Sequence, residues 1–484
     1  MAAAAVEPRV VVVGAGPAGS RCVEALVKAG IRPLVIDESA RSGGQIYRRQ
    51  PDNFTRSAEQ LYGSEAAKAT RLHKSFDGLQ GRFDYWPESL IWNLAGNRIF
   101  VVRGAQQCSV EFSSLVICSG ATDRLLPVPG WNYSGCYSLG GAQIALKAQA
   151  CAIGAEVVFM GTGPLLYLVA AQYAKAGARV AGVLDTSPFY RRVAALPDLL
   201  ANPRALYHGL GLTASLYLKG VPVYSGVEPL AIEGDAAAGV SAVRFRDGRG
   251  REKQLHCDAV AMGYHLRPET QLADLARCQF DFDASTRQWL PRIDRDGRST
   301  VADIYLAGDG ARIRGADAAE ASGELAALAL LADRGQAVDS QRVARLQQQL
   351  GQLERFARGL AKAFPWPHQL AAQLADATVL CRCEVVTVGE MRSTIALTGA
   401  SEANRAKAFS RVGMGRCQGR YCANAGAEVI AAATDGDICS AGRLRAQAPV
   451  KPLPLALVEV APEDWLEVSA EGVDPVLKPA EAGL

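Results

Sequence analysis

Two glycine-rich turns, each set between an apolar strand and a helix, and four cysteines gathered near the C-terminus predict the fold class. That class is α/β, with two Rossmann-like dinucleotide-binding units followed by a small helical unit. A chain of 484 residues fits about three domains at ~150 residues each. Apolar residues make up 49% and charged residues 21%, which fits a folded globular protein and excludes disordered and fibrous classes. A formal charge of +3 offers no reason to expect nucleic acid or an anionic membrane as partner.

The opening residues, Met1 to Pro8, carry neither a basic n-region nor an apolar h-region, so no secretory signal is expected. The most apolar stretch, 157–171, is interrupted by Gly161, Gly163 and Pro164 and is shorter than the ~20 residues that cross a bilayer. The expected setting is cytoplasmic, without an integral membrane segment. Twelve cysteines in such a chain read as thiols and metal ligands rather than as a disulfide framework.

In the first unit, Arg9 to Val13 reads as a parallel strand that runs into Gly14-Ala15-Gly16-Pro17-Ala18-Gly19 and then a helix ending at Gly30. A second strand, Pro33 to Ile36, closes on Asp37-Glu38. Gly14 permits the tight turn, Gly16 lets a pyrophosphate approach the backbone, and Gly19 lets helix and strand pack closely. The helix N-terminus, with Pro17 and Ala18 in its first turn, then faces the phosphates. Asp37, 23 residues after Gly14, stands where a carboxylate accepts ribose hydroxyls.

Two further segments favour FAD. Leu115 to Ala121, including Gly120, followed by Pro127 and Pro129-Gly130, resembles the strand and turn beneath the flavin in FAD-dependent pyridine nucleotide oxidoreductases. Ile304 to Gly310, including Gly308 and Asp309, resembles that superfamily's later flavin motif, in which the Asp binds the ribityl chain. A helix over 318–332 follows, and its N-terminal partial charge would favour an anionic reduced ring.

The second unit repeats the pattern with a strand at 156–160, the turn Gly161-Thr162-Gly163-Pro164-Leu165-Leu166, a helix to Lys175 and a strand ending at Asp185. Leu166 occupies the third glycine position. A leucine there either forces helix and strand apart or fills the space near the phosphates, so the expectation is a retained fold with a weakened NAD(P)H site. Residues 189–220 read as helical and apolar on one side, consistent with core packing or a subunit contact. A helical connector, 341–360, stops at Phe364-Pro365-Trp366-Pro367.

Cys381-Arg382-Cys383 and Cys417-Gln418-Gly419-Arg420-Tyr421-Cys422 place four thiols within 42 positions. Four thiolates suit a tetrahedral zinc or an iron-sulfur cluster. The C-x-C spacing, the flavin motifs on the same chain and the glycine-rich loop at 413–417 tilt the reading toward 2Fe-2S, with zinc and free thiols as alternatives. Arg382, Arg416 and Arg420 would offset the cluster's negative charge. Cys22, Cys118, Cys151 and Cys257 read as small core residues. No C-x-x-C occurs, so a redox disulfide of the reductase type is not expected. The five histidines show no ligand or triad spacing, and His265 is either an ordinary loop residue or a group near the flavin.

Together with Gly43-Gly44-Gln45-Ile46-Tyr47-Arg48, the turn at 161–166, the loop at 413–420 and the tail Pro449 to Pro454, these motifs resemble a family. It is that of the alpha-type subunits of hetero-oligomeric amino-acid dehydrogenases and oxidases, acting on hydroxyproline, proline, opines or glycine. The C-terminal unit resembles bacterioferritin-associated ferredoxin, with C-x(4)-C where that protein has C-x-x-C. The resemblance implies a disulfide-reductase-like flavoprotein architecture whose domains are 1–130 with 257–335 for FAD, 131–256 as the NAD(P)-like unit, 336–375 as connector, 376–440 for 2Fe-2S and 441–484 as an extended tail.

The cofactor-binding residues it implies are Gly14, Gly16, Pro17, Ala18, Gly19, Asp37, Glu38, Gly44, Gln45, Gly120, Ala121, Gly308 and Asp309, and the metal ligands are Cys381, Cys383, Cys417 and Cys422. It also implies a D-amino-acid-oxidase-like beta subunit that oxidises the substrate, with or without a small gamma subunit, and in some relatives an FMN at the interface. The resulting expectation is an electron-relay subunit. The competing expectations are a stand-alone NAD(P)H-dependent flavin and iron-sulfur oxidoreductase, and a scaffold that holds a nucleotide and a structural metal.

Overall fold

The computed structural model of the chain describes residues 9–462 and Trp465. The expectation that residues 1–8 hold no leader, and most of the tail beyond 462, lie outside the described residues.

Five consecutive β-branched or long side chains make Arg9–Val13 a strand, four of its residues buried. It lies at the centre of a parallel sheet between Leu34–Ile36 and the long strand Gln106–Ile117, with Val11 opposite Leu34 on one side and Leu115 on the other. Asp84–Trp86 continues this sheet outward, and Ile304–Leu306 adds to the far side of the long strand. The N-terminal half of Gln106–Ile117 leaves the layer and pairs antiparallel with Arg98–Arg103, which pairs with Leu90–Ala95. One strand thus serves two halves of an eight-stranded sheet among the described residues.

Pro17–Lys28 covers one face of the central strands and packs on Ala316–Asp333. That contact requires Gly323: a Cβ there would lie 2.0 Å from the Ala18 carbonyl oxygen. Both helices are close in bounds to the sequence expectation.

The second layer is a five-stranded parallel sheet ordered Val223–Ser225, Arg179–Asp185, Glu156–Thr162, Ala259–Tyr264 and Cys136–Ser138. Leu166 neither splays the helix nor enters a phosphate site. It is fully buried in Pro164–Lys175 and packs with Leu139, Val157, Phe159 and Val183. The 189–220 segment forms three helices, Phe189–Ala194, Leu196–Leu199 and Pro203–Leu218.

Ser340–Ala363 runs across both units and ends at Phe364. Beyond it lies a small, mainly helical unit. A ribbon of Val379–Cys381 and Val386–Thr387 leads into Val388–Thr398, started by a capping box between Thr387 and Glu390 and stopped by Gly399 in the left-handed region. Ala403–Ser410, Ala423–Ala433 and Ile438–Ala441 complete it. Its core of Leu380, Met391, Ile395, Val412 and Ile430 continues into that of the second sheet through Trp366. Among the described residues no helix is long and apolar enough to cross a membrane.

Candidate functional site

At the first glycine turn the backbone approaches itself as closely as glycine allows. Gly14 has φ +95, and its N–H donates to the Ile36 carbonyl at 2.7 Å. A Cβ on Gly14 would meet the Cys118 carbonyl oxygen at 2.4 Å, and one on Gly19 would meet the Gly14 oxygen at 1.7 Å. Gly16 differs: its nearest neighbour is Gly44, with Cα 3.5 Å from where a Cβ would stand. Gly44, at φ +64, would in turn place a Cβ 2.9 Å from the Gly16 Cα.

Two glycine backbones therefore face each other at the N-terminus of Pro17–Lys28, leaving a cradle without side chains beside free helix N–H groups. Gly308, at φ +69, closes the same region from the other strand, since its Cβ would sit 2.8 Å from that of Ala18. Gly120, at φ +73, has open space where a side chain would be.

Asp37 follows the second strand as expected, with Oδ2 accepting from Ala15 N–H at 2.5 Å and Oδ1 from Ser39 N–H at 2.6 Å. Burial raises its pKa, and the two backbone donors oppose that. Glu38 turns toward the tail and pairs with Lys451. Gln45 is exposed and accepts from Arg48 at 3.0 Å. Asp309 accepts from the N–H groups of Arg314 and Gly315 at 2.9 and 3.1 Å; burial pushes its pKa up against those bonds. Ala121 begins a short strand, Ala121–Asp123, paired antiparallel with Leu266–Pro268. The glycines among these residues leave backbone uncovered at the start of Pro17–Lys28, in an FAD-binding type of fold.

The second turn differs. Asp185, the counterpart of Asp37, has no exposed surface and accepts from Tyr167 Oη at 2.8 Å, Arg192 Nη2 at 2.6 Å and Ser187 N–H at 2.8 Å. The Arg192 guanidinium stacks over Tyr167 and over Phe364, at 4.9 and 5.1 Å from the ring centroids. His265 donates from Nε2 to the Phe364 carbonyl at 2.7 Å, and its ring lies against Gly163. The chain's own side chains thus fill the place of a ribose. His265 is engaged here, in the second unit, and desolvation pushes its pKa down to about 4.

The four C-terminal cysteines come together in two pairs. Cys381 neighbours Cys422, both buried, and Cys383 neighbours Cys417, both partly exposed. The hydrogen bond from Cys422, with N–H groups of Gly413, Glu384 and Cys383, lowers the Cys381 thiol to about 6 despite burial, while Cys422 moves up. A Cβ on Gly415 would lie 2.3 Å from that of Cys383, so the glycine-rich loop is needed where it crosses the ribbon. Among the described residues no set of three or more metal-ligating side chains is drawn to metal-holding geometry. The four thiols lie close enough to influence one another electrostatically, and thiolate is a ligand type shared by zinc and iron-sulfur sites. Of the expected core thiols, Cys22, Cys118 and Cys257 are buried, but Cys151 is exposed because it follows the end of Leu139–Ala148.

Segment 264–271, legible in the sequence only as a loop after a strand, joins the two sites. Glu269 N–H donates to the Gly120 carbonyl at 3.0 Å, and Ser119 Oγ donates to the Glu269 carbonyl at 2.6 Å. On its other side, Arg420 Nε donates to Glu269 Oε2 at 2.7 Å, Arg267 to the Arg420 carbonyl at 3.0 Å and Gln271 to the Gln418 carbonyl at 2.9 Å.

This is the two-unit architecture of a flavoprotein oxidoreductase with an FAD-binding fold. The chain belongs to the pyridine nucleotide-disulphide oxidoreductase family, whose model matches residues 8–323, and it is an oxidoreductase. It is 38% identical over 489 residues to the A-type subunit of opine oxidase from Agrobacterium tumefaciens (strain Ach5), spanning 96% of this chain and 94% of that protein. It is 30% identical to the HcnB subunit of hydrogen cyanide synthase from Pseudomonas aeruginosa, over 93% of this chain and 97% of that one. The L-proline dehydrogenase structure from P. horikoshii shares the fold, with a TM-score of 0.67 at 17% identity, over 93% of this chain and 78% of that chain.

Proposed function

We propose that this chain is the electron-carrying, alpha-type subunit of a hetero-oligomeric dehydrogenase or oxidase that acts on the CH–NH or CH–NH2 group of an amino or imino acid. A separate beta subunit would bind and oxidise the substrate. Support comes from relatives named as subunits of opine oxidase and hydrogen cyanide synthase, matched over nearly their whole length. The observation that carries the reading is the 264–271 segment, bonded to Gly120 on one side and to the Cys417–Cys422 loop on the other.

In this reading Gly14, Gly16, Pro17, Ala18, Gly19, Asp37, Glu38, Gly44, Gln45, Gly120, Ala121, Gly308 and Asp309 hold FAD. Cys381, Cys383, Cys417 and Cys422 hold a 2Fe-2S cluster. A bound flavin would exchange electrons in pairs or singly and a 2Fe-2S cluster only singly, so the residues that hold them would allow a hydride-derived pair to leave as single electrons. The protein's own work is to hold position and field. Gly16 and Gly44 admit the pyrophosphate, Asp37 and Asp309 keep acceptor oxygens at the groove, and Arg267 and Arg420 place positive charge beside the thiolates. An interfacial FMN is part of the proposal only for complexes with the beta subunit.

The stand-alone NAD(P)H reading loses support from Asp185, whose carboxylate is taken by Arg192 and Tyr167. Co-expression with the beta subunit, followed by anaerobic turnover with a dye acceptor, tests the proposal. The complex should oxidise proline- or opine-type substrates while this chain by itself does not. Full-rate oxidation by this chain in isolation would overturn it.

A further inference from the structure

Nine of the sixteen large hydrophobic side chains exposed among the described residues lie between Phe189 and Leu218. They sit on three consecutive helices outside the second sheet, packed on Pro164–Lys175 and Ser340–Ala363. In the longest, Pro203–Leu218, only Leu216 is fully buried. At 100° per residue Tyr207, Leu210, Ala214, Tyr217 and Leu218 share one stripe, and it faces outward, with Tyr207 80% and Leu218 89% exposed. At the edge of the stripe a Cβ on Gly211 would meet nothing within 4 Å. The helix therefore has two apolar faces, and only the inner one is covered within this chain.

Each of the nine side chains presents on the order of 100 Å², so together they expose roughly 900 Å² of apolar surface, comparable to the ~800 Å² that each partner gives to a standard interface. Charge selects the occupant. Between Phe189 and Val227 the sole carboxylate side chain is Asp198, which pairs with Arg355 and Lys362. Arg191, Arg204 and Lys219 form no ion pair among the described residues. A second copy of this chain would set cations against cations. A lipid surface is disfavoured by the small residues Ala214, within the stripe, and Gly211, at its edge, because interfacial helices insert a continuous bulky face. His208 Nδ1 lies 3.4 Å from Ser64 Oγ, so the patch extends to the segment that follows Gly43-Gly44 and the flavin groove.

We infer that this face docks the substrate-oxidising subunit through an apolar helix or loop flanked by carboxylates; the inference rests on the two-subunit reading above. The test uses the full-length chain, wild type or carrying Tyr207→Glu with Leu218→Glu, or Arg204→Glu with Lys219→Glu, and the co-expressed beta subunit. Affinity is measured at two salt concentrations, with flavin content and circular dichroism confirming the fold. The apolar pair should weaken the complex roughly 100-fold. The charge reversal should weaken it about tenfold and flatten the salt dependence. If the wild-type chain forms no complex, the two-subunit reading fails. If the complex forms and both variants bind as wild type, this inference alone fails. A homodimer of this chain that the variants dissociate, or binding to phosphatidylglycerol vesicles that they abolish, would overturn it in favour of a second copy or of lipid.

Discussion

The Glu269 carboxylate accepts from the Arg420 guanidinium at 2.7 Å, with the two side chains only 12% and 10% exposed. Glu269 sits one hydrogen bond from Gly120, and Arg420 lies between Cys417 and Cys422, so this pair joins the first glycine-rich unit to the cysteine loop, alongside the bonds from Arg267 and Gln271. Burial disfavours the charged carboxylate, but Arg420 and Arg267 outweigh it and hold Glu269 below the usual carboxylate range.

Removing one partner of such a pair leaves a charge stranded. Arg420→Met should cost about 3 kcal/mol in the stability of the docked C-terminal unit, whereas the double change Arg420→Met with Glu269→Gln should cost much less. Hydrogen exchange across 415–423 reads this directly. Equal protection in all three proteins would remove the pair from its role.

The glycines of the first turn separate folding from binding. Gly19→Ala drives a Cβ into the Gly14 carbonyl and should prevent folding, whereas Gly16→Ala meets Gly44 at an ordinary contact distance of 3.5 Å. Gly16→Ala should therefore fold with a native circular dichroism spectrum and lose most of its flavin, since the added methyl occupies the pyrophosphate's approach. Native flavin content in that variant would contradict the assignment of the groove.

His265 predicts an acid-dependent step. Its folded pKa, pushed down from 6.5 to about 4 by desolvation, means that the unfolded chain binds a proton first as pH falls. The contribution is fully present above pH 6.5 and is lost between 6.5 and 4, about 3 kcal/mol in all. His265→Asn, which tolerates the φ of +66 at this position, should lose that dependence. Urea unfolding at about pH 7.5 and about pH 4.5 measures the difference.

The closed second unit predicts that NADH and NADPH do not reduce the flavin. Stopped-flow mixing of the flavin-loaded chain with either should leave the visible absorbance unchanged over seconds. Rapid bleaching would show that Arg192 and Phe364 move aside and would restore the stand-alone reading.

Much of this is readable from local chemistry. Strand, glycine turn and helix recur in both units because each needs only a short stretch of chain to declare itself, and Leu166 already marks the second as altered. What surrounds Asp185 is only partly readable: Arg192 is seven positions away, but His265 and Phe364 come from distant segments and only the tertiary fold brings Phe364 to Arg192 and His265 to Phe364. Cys151 reads as a core residue from its apolar neighbours, but the helix before it ends and leaves it at the surface. The pairing of Glu38 with Lys451, a residue 413 positions away, is likewise not legible in the sequence. The link through Glu269 and Arg420, 151 positions apart, leaves no sequence signal beyond two charged residues in loops.

Whether the first glycine-rich turn and the four thiols form one electron path is read by electron paramagnetic resonance on the anaerobically purified complex of both subunits, taken after substrate addition and alongside flavin, iron and sulfide analysis. The account predicts one FAD, two irons and two sulfides per copy of this chain and a reduced 2Fe-2S signal that Cys383→Ser abolishes. An iron-free complex that still turns over at full rate, with Cys381, Cys383, Cys417 and Cys422 all reactive toward a thiol reagent, would contradict it.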